Sequence, residues 1–126
     1  MRHMLILAGG LEMKKTKHEI LVRDFYTCQN PECQKHGNMA NLELAHLVRQ
    51  GDQKSKKNQT VQYIKSFILD EYGVELKKKQ IWDIIHDERN VITSCSKCNS
   101  LFNIFNNPEL RDAKIREIYE KEYLNK

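Results

Sequence analysis

The chain has 126 residues, 40% of them hydrophobic and 30% charged, with two prolines and five glycines. That length and balance describe one globular domain with a modest core. Lys plus Arg exceed Asp plus Glu by 21 − 17 = 4, an excess that suits a polyanionic partner without identifying one.

No stretch reaches the ~18 apolar residues that a membrane span requires, so no membrane partner is expected. The opening MRHMLILAGGLEM lacks an h-region and a small-residue cleavage site and does not read as a signal peptide. His3-Met4 and Leu11-Glu12 look like remnants of cloning sites. Residues 1–12 are therefore expected to be a cloning-derived or disordered leader, ahead of a single domain over 13–126. Without a secretory signal the expected compartment is the reducing cytoplasm, where cysteines persist as thiols or thiolates.

In chain order, residues 14–25 are helix-compatible, with Ile20, Leu21, Val22 and Phe25 behind a basic start. Residues 27–39 hold Asn-Pro, His-Gly and two cysteines and read as a loop. Residues 41–48 alternate loosely through Leu42 and Leu44, which predicts a first strand. Residues 49–58 are polar and basic, with Gly51-Asp52 as a turn signal, and read as a loop or mobile arm. From Arg49 to Lys65 five basic residues (Arg49, Lys54, Lys56, Lys57, Lys65) stand against one acid, Asp52.

Val61, Ile64, Ile68 and Tyr72 recur at helical spacing and predict a helix over 60–72, with Thr60 as N-cap and Gly73 as its stop. A second helix over 77–86 carries Ile81, Trp82, Ile84 and Ile85. Residues 91–94 read as the second strand, and 96–106 as a helix with Ser96 near its start. Pro108 then opens a last helix whose Ile115, Ile118 and Tyr119 face the body. Trp82 and the tyrosines read as core rather than as base-stacking platforms, and Lys77, Lys78 and Lys79 as a solvated helix start.

The four cysteines carry the clearest chemistry. Cys28 and Cys33 form a C-x4-C pair, Cys95 and Cys98 a C-x2-C pair, with 61 residues between the pairs. Each short spacing lets one loop supply two thiolates, and two such loops complete a tetrahedral four-cysteine zinc site. Such a shell has no open position, so its zinc is structural and helps a small domain to fold.

The order of the remaining motifs matters as well. Arg23-Asp24 precede Cys28 and Cys33; Leu42-Glu43-Leu44-Ala45-His46 follows; then His86-Asp87, Asn90, Cys95, Cys98 and Asn99. This order resembles the HNH nuclease family over roughly residues 20–107, with 50–85 as a helical insertion between the two core strands. The nine-residue step from Asn90 to Asn99 around the Cys-x2-Cys pair is its most specific element.

The resemblance implies an α+β fold: a small ββα-metal core with flanking helices, stapled by zinc. It implies a DNA endonuclease in which His46 is the general base, Asn90 braces the loop between the strands, and Asn99 ligates a catalytic divalent cation, Mg2+ or Mn2+. The expected setting is intracellular, in a bacterium or encoded by a phage. Ala45 departs from the pattern, because many members place a metal-binding Asp or His there. Glu43 and Asp87 are the candidates to supply the missing oxygen. Arg49, Lys54, Lys56 and Lys57 are candidate phosphate contacts, sequence-blind and salt-sensitive.

One ββα site cuts one strand, so nicking by a monomer is expected, and cutting both strands takes a homodimer or two events. The competing reading is a catalytically impaired, zinc-stabilised nucleic-acid-binding module, with Ala45 marking the lost site. A structural RNA-associated zinc protein ranks third.

Overall fold

A computed structural model describes residues 5–6, 12–13, 15–51 and 57–124. Within the expected leader, β1 (Leu5–Ile6) pairs antiparallel with β2 (Glu12–Met13). The rest of that leader, and residues 52–56 of the basic arm with Lys54 and Lys56, lie outside the described residues.

Helix α1 (Lys17–Arg23) starts where its cap allows. Thr16 Oγ1 accepts from the Glu19 N–H at 3.2 Å while Glu19 Oε1 accepts from the Thr16 N–H at 3.3 Å. This reciprocal pair satisfies backbone donors that the first turn leaves open. The helix ends at Arg23, two residues before the sequence pattern suggested. Phe25 and Tyr26 instead adopt φ of 56° and 50°, a conformation that bulky side chains rarely take. The turn brings the Tyr26 N–H onto the Leu21 carbonyl at 2.8 Å and leaves Phe25 82% exposed.

Strands β3 (Leu42–His46) and β4 (Val91–Cys95) form an antiparallel two-stranded sheet. The register sets Leu42 opposite Cys95 and His46 opposite Val91. Asp24 locks α1 to this sheet: its Oδ2 accepts from the Thr93 N–H at 2.9 Å. The Arg23 guanidinium binds Asp24 and also donates to the carbonyls of Glu88, at 2.8 Å, and Val91, at 2.7 Å. Ile20, Leu44 and Val91 fill the small apolar space between helix and sheet.

Between the strands lie α2 (Gln59–Tyr72) and α3 (Lys78–Ile85). The cap of α2 is Asn58 rather than Thr60: Asn58 Oδ1 accepts from the N–H groups of Thr60 and Val61 at 3.0 and 3.3 Å. Gly73 ends the helix in the left-handed conformation, φ 69°, where a residue without a Cβ meets no steric penalty.

The chain closes with α4 (Pro108–Tyr119), whose first turn is preset by Pro108, and a π-helical turn over Glu120–Leu124. Ile64 and Ile68 of α2, Ile81 and Ile85 of α3, and Ile115 and Ile118 of α4 make one buried cluster with Trp82 and Tyr119. Burying each isoleucine contributes about 2 kcal/mol. Tyr63 and Tyr72 of α2 donate to Asp112 and Glu120 at 2.5 and 2.7 Å, tying α2 to the C-terminal segment. The stretch 50–85 thus supplies most of the buried residues of the main core.

One predicted helix is absent. Over 96–106 the chain makes only a 3-10 turn, Asn99–Phe102. The backbone is drawn elsewhere: the Ile104 N–H donates to the Leu47 carbonyl at 2.8 Å, and the Phe105 N–H to Asn103 Oδ1 at 2.9 Å. A helix running through would forfeit both bonds. The molecule is accordingly α+β, with helices around the small β3–β4 sheet and a four-cysteine cluster at its end.

Candidate functional site

The cysteine pairs converge from two directions. Residues 27–36 double back on themselves: Thr27 and His36 form an isolated bridge, and the Cys28 N–H donates to the Lys35 carbonyl at 2.9 Å. The Gln29 N–H donates to the Thr93 carbonyl at 3.1 Å, docking this loop against β4. From the other side, Cys95 closes β4 and Cys98 sits one turn later, its N–H on the Cys95 carbonyl at 3.2 Å.

All four Sγ atoms lie within 4.8 Å of one another. Cys33 and Cys95 are 3.8 Å apart at sulfur. Two sulfurs on a tetrahedral zinc, each at about 2.3 Å, stand about 3.8 Å apart, whereas a disulfide requires about 2.05 Å. The cluster can therefore hold a structural metal ion such as zinc. Asn30 Nδ2 donates to Cys98 Sγ at 3.4 Å, the kind of outer hydrogen bond that orients a metal ligand. The two neighbouring thiols move in opposite directions: burial raises Cys95, but hydrogen bonds with Cys98 and Cys33 outweigh it and bring it to about 7, whereas Cys98, despite the hydrogen bond from Asn30, is pushed up to about 12 by burial and the other thiols.

The structure builds two polar pairs on the sheet, one toward each end: His46 lies opposite Val91, away from the cysteines, and Glu43 opposite Ser94, next to them. In the first, His46 Nε2 meets His86 Nδ1 at 3.1 Å, ring edge to ring face. His86 caps the C-terminus of α3, is buried, and stacks on Trp82 with 5.7 Å between ring centroids. Burial first, then the neighbouring His86, pulls His46 down from 6.5 to about 4. Burial lowers His86 as well, against the opposing pull of Asp83. Both rings are neutral near pH 7.

In the second pair, Asn99 Nδ2 donates to Glu43 Oε1 at 2.9 Å. Alternation along β3 puts Glu43 on the same face as Ala45, and His46 on the opposite one. Glu43 and Asn99 together offer a carboxylate and an amide oxygen, donors that suit a hard divalent cation. Mg2+ in particular keeps most of its waters and takes only one or two carboxylates. The amide presents its NH2 to the carboxylate, and a half-turn about its terminal bond would present the oxygen instead.

Asn90 bonds to backbone groups on two neighbouring segments. Fully buried in the 3-10 turn Glu88–Asn90, its Oδ1 accepts from the Val48 N–H at 2.8 Å. Its Nδ2 donates to the carbonyls of Val48 and Ile85, both at 2.9 Å. The Leu47 N–H reaches the Asn90 carbonyl at 2.9 Å. The chain leaving His46 is thereby clamped to the end of α3.

Two candidates sit apart from these pairs. Asp87 is fully buried and caps the 3-10 turn, its carboxylate bound to the Arg89 N–H and guanidinium; Arg89 in turn reaches Glu122. Asp87, a candidate cation ligand in the sequence, thus forms an ion pair with Arg89 here. Arg49 is no free arm either. It packs over the Phe105 ring at 4.4 Å and donates to Gln59 Oε1 at 2.7 Å. Lys57 is exposed.

Sequence reasoning gave no role to His86, Asn30 or Asp24. Each acts on a partner far away in the chain, so no local spacing marks them.

The fold and the cysteine cluster define a small α+β protein with a candidate structural metal centre. Compared with known proteins, the chain matches no family model, no curated protein and no solved structure. The likeness to HNH nucleases therefore rests on the motif residues alone. Among the described residues no helix is long and apolar enough to cross a membrane.

Proposed function

We propose that this protein is a zinc-stabilised, metal-dependent endonuclease of the HNH type that hydrolyses phosphodiester bonds in DNA. The observation that carries the reading is the Asn90 clamp: one buried amide fixes the segment that follows His46. A general base has to be held to within a fraction of an ångström of its water, and a loop alone does not do that.

In this reading His46 takes a proton from water, whose oxygen bonds to phosphorus as the bond to the 3′ oxygen breaks. The 3′ oxygen then takes up a proton from solvent, leaving 5′-phosphate and 3′-hydroxyl ends, and His46 releases its own proton to solvent. Glu43 and Asn99 would hold a divalent cation, which when bound supplies positive charge beside the scissile phosphate. Along an extended strand the Cα atoms of Glu43 and His46 stand about 10 Å apart. The reading requires their side chains to converge on one phosphate around the strand end, where the chain leaves the sheet at Leu47. Arg49, Lys54, Lys56 and Lys57 are the proposed backbone contacts.

The depressed basicity and partial burial of His46, with Ala45 buried beside it, favour the second reading, a binding module without catalysis. Plasmid nicking separates the two. Wild type is compared with His46→Ala and Asn99→Ala in Mg2+ or Mn2+ and in EDTA, with zinc content checked by elemental analysis. The endonuclease reading expects ion-dependent nicking that disappears in His46→Ala and that, in Asn99→Ala, is lost or requires a much higher ion concentration. Zinc-loaded wild type that binds DNA but nicks none under any divalent ion sinks it and leaves the binding module.

A further inference from the structure

We propose that His86 is a positioning residue for His46: its Nδ1 accepts the His46 Nε2–H, so that His46 keeps its Nδ1 lone pair for the attacking water. This inference rests on the endonuclease reading.

The geometry supplies the parts. The two nitrogens are 3.1 Å apart, and the rings meet at 74° with centroids 5.2 Å apart, which points one ring's edge at the other. His86 is the fixed member. It is 1% exposed, stacked on Trp82 at 19°, and its backbone N–H is bound to the Trp82 carbonyl at 3.0 Å. His46 is the member that stays partly open to solvent. Around the pair, His86 is the group that acts on His46, and Asp83, one turn earlier on α3, acts on His86.

A neutral imidazole carries one donor and one acceptor, so the contact admits two arrangements. If His86 Nδ1 donates, His46 Nε2 is occupied and its hydrogen sits on Nδ1, leaving no free lone pair for water. If His86 Nδ1 accepts, His46 carries Nε2–H and its Nδ1 is free. Only the second arrangement lets His46 act as a base. When Nδ1 takes the proton, the resulting imidazolium still donates Nε2–H to His86, now as a stronger, charge-assisted bond. This is the logic of a nucleophile's base oriented by a third group, with a neutral ring as the orienting group. His86 Nε2 is buried without a hydrogen-bond partner, and this holds for either arrangement.

Long-range 1H–15N correlation spectra of the zinc-loaded full chain at pH 7 read the tautomers directly and need no activity. The expected spectrum has both His46 and His86 in the Nε2–H form; His46 in the Nδ1–H form overturns the inference. Nicking by two variants completes the test. His86→Leu removes the acceptor and is expected to lower the rate roughly 10- to 100-fold, a part of the 10²–10⁴ that a general base supplies. His86→Asn places an amide oxygen near the lost Nδ1 and is expected to restore most of it. Equal losses in the two folded, zinc-loaded variants would show a packing role only and overturn the inference. Absence of nicking by wild type sinks the endonuclease reading and this role with it, whereas nicking with His46 in the Nδ1–H form sinks this inference alone.

Discussion

Truncating Asn90 to alanine removes the partner of three buried backbone groups in one step: the Val48 N–H and the carbonyls of Val48 and Ile85. A buried polar group left unsatisfied costs about 1–3 kcal/mol. Three of them sum to about 3–9 kcal/mol, and water entering the vacated space recovers a share. An expected loss of about 4 kcal/mol is a large fraction of the ~5–15 kcal/mol that holds a domain folded. For a chain of 126 residues it lowers the melting temperature by roughly 12–20 °C. Urea unfolding followed by the fluorescence of Trp82, the chain's one tryptophan and a buried one, measures it directly. Asn90→Asp keeps an acceptor for the Val48 N–H but cannot donate to either carbonyl, and it introduces a buried charge, so it should be at least as damaging. If Asn90→Ala lost less than about 1 kcal/mol with an unchanged m-value, the three bonds would not be the clamp described here.

Two further outcomes follow from the same geometry. Purified protein should carry one zinc per chain, and Cys98→Ser should abolish stoichiometric binding, as elemental analysis will read. Because the helical cluster of α2, α3 and α4 is separate from the cysteine cluster, the variant should keep most of its far-ultraviolet helical signal; its complete loss would contradict that separation. The pH dependence has a fixed sign. His46 titrates near 6.5 unfolded and at about 4 folded, so its contribution is fully present above 6.5 and drains away as pH falls from there toward 4. The difference corresponds to about 3 kcal/mol. Between pH 7 and pH 4.5 wild type should lose about 2 kcal/mol more stability than His46→Gln, and equal losses would refute the neutral state assigned to His46.

Much of this molecule is written locally. Helices α2, α3 and α4 follow from isoleucines spaced to share one face, with Gly73 and Pro108 as stop and start. The metal cluster follows from two short cysteine spacings, since a turn that holds two thiols side by side is set by a few neighbouring residues. The role of Asn90 was legible only through a family pattern, and the structure supplied its partners.

What the sequence could not decide was where segments distant in the chain compete for the same backbone groups. The 96–106 stretch has helical composition, yet the Leu47 carbonyl and the Asn103 side chain take its amides. Phe25 carries a helix-like apolar pattern, yet the chain turns beneath it into a left-handed conformation so that Asp24 can reach Thr93. Asp87, an open carboxylate on paper, is consumed by Arg89. The His46–His86 pair joins residues 40 positions apart, and no periodicity encodes such a meeting. Local hydrogen bonds and repeat spacing are fixed by neighbours along the chain, and the sequence by itself determined those. Packing and the satisfaction of buried polar groups depend on which segments are brought together, and the tertiary structure alone decided that.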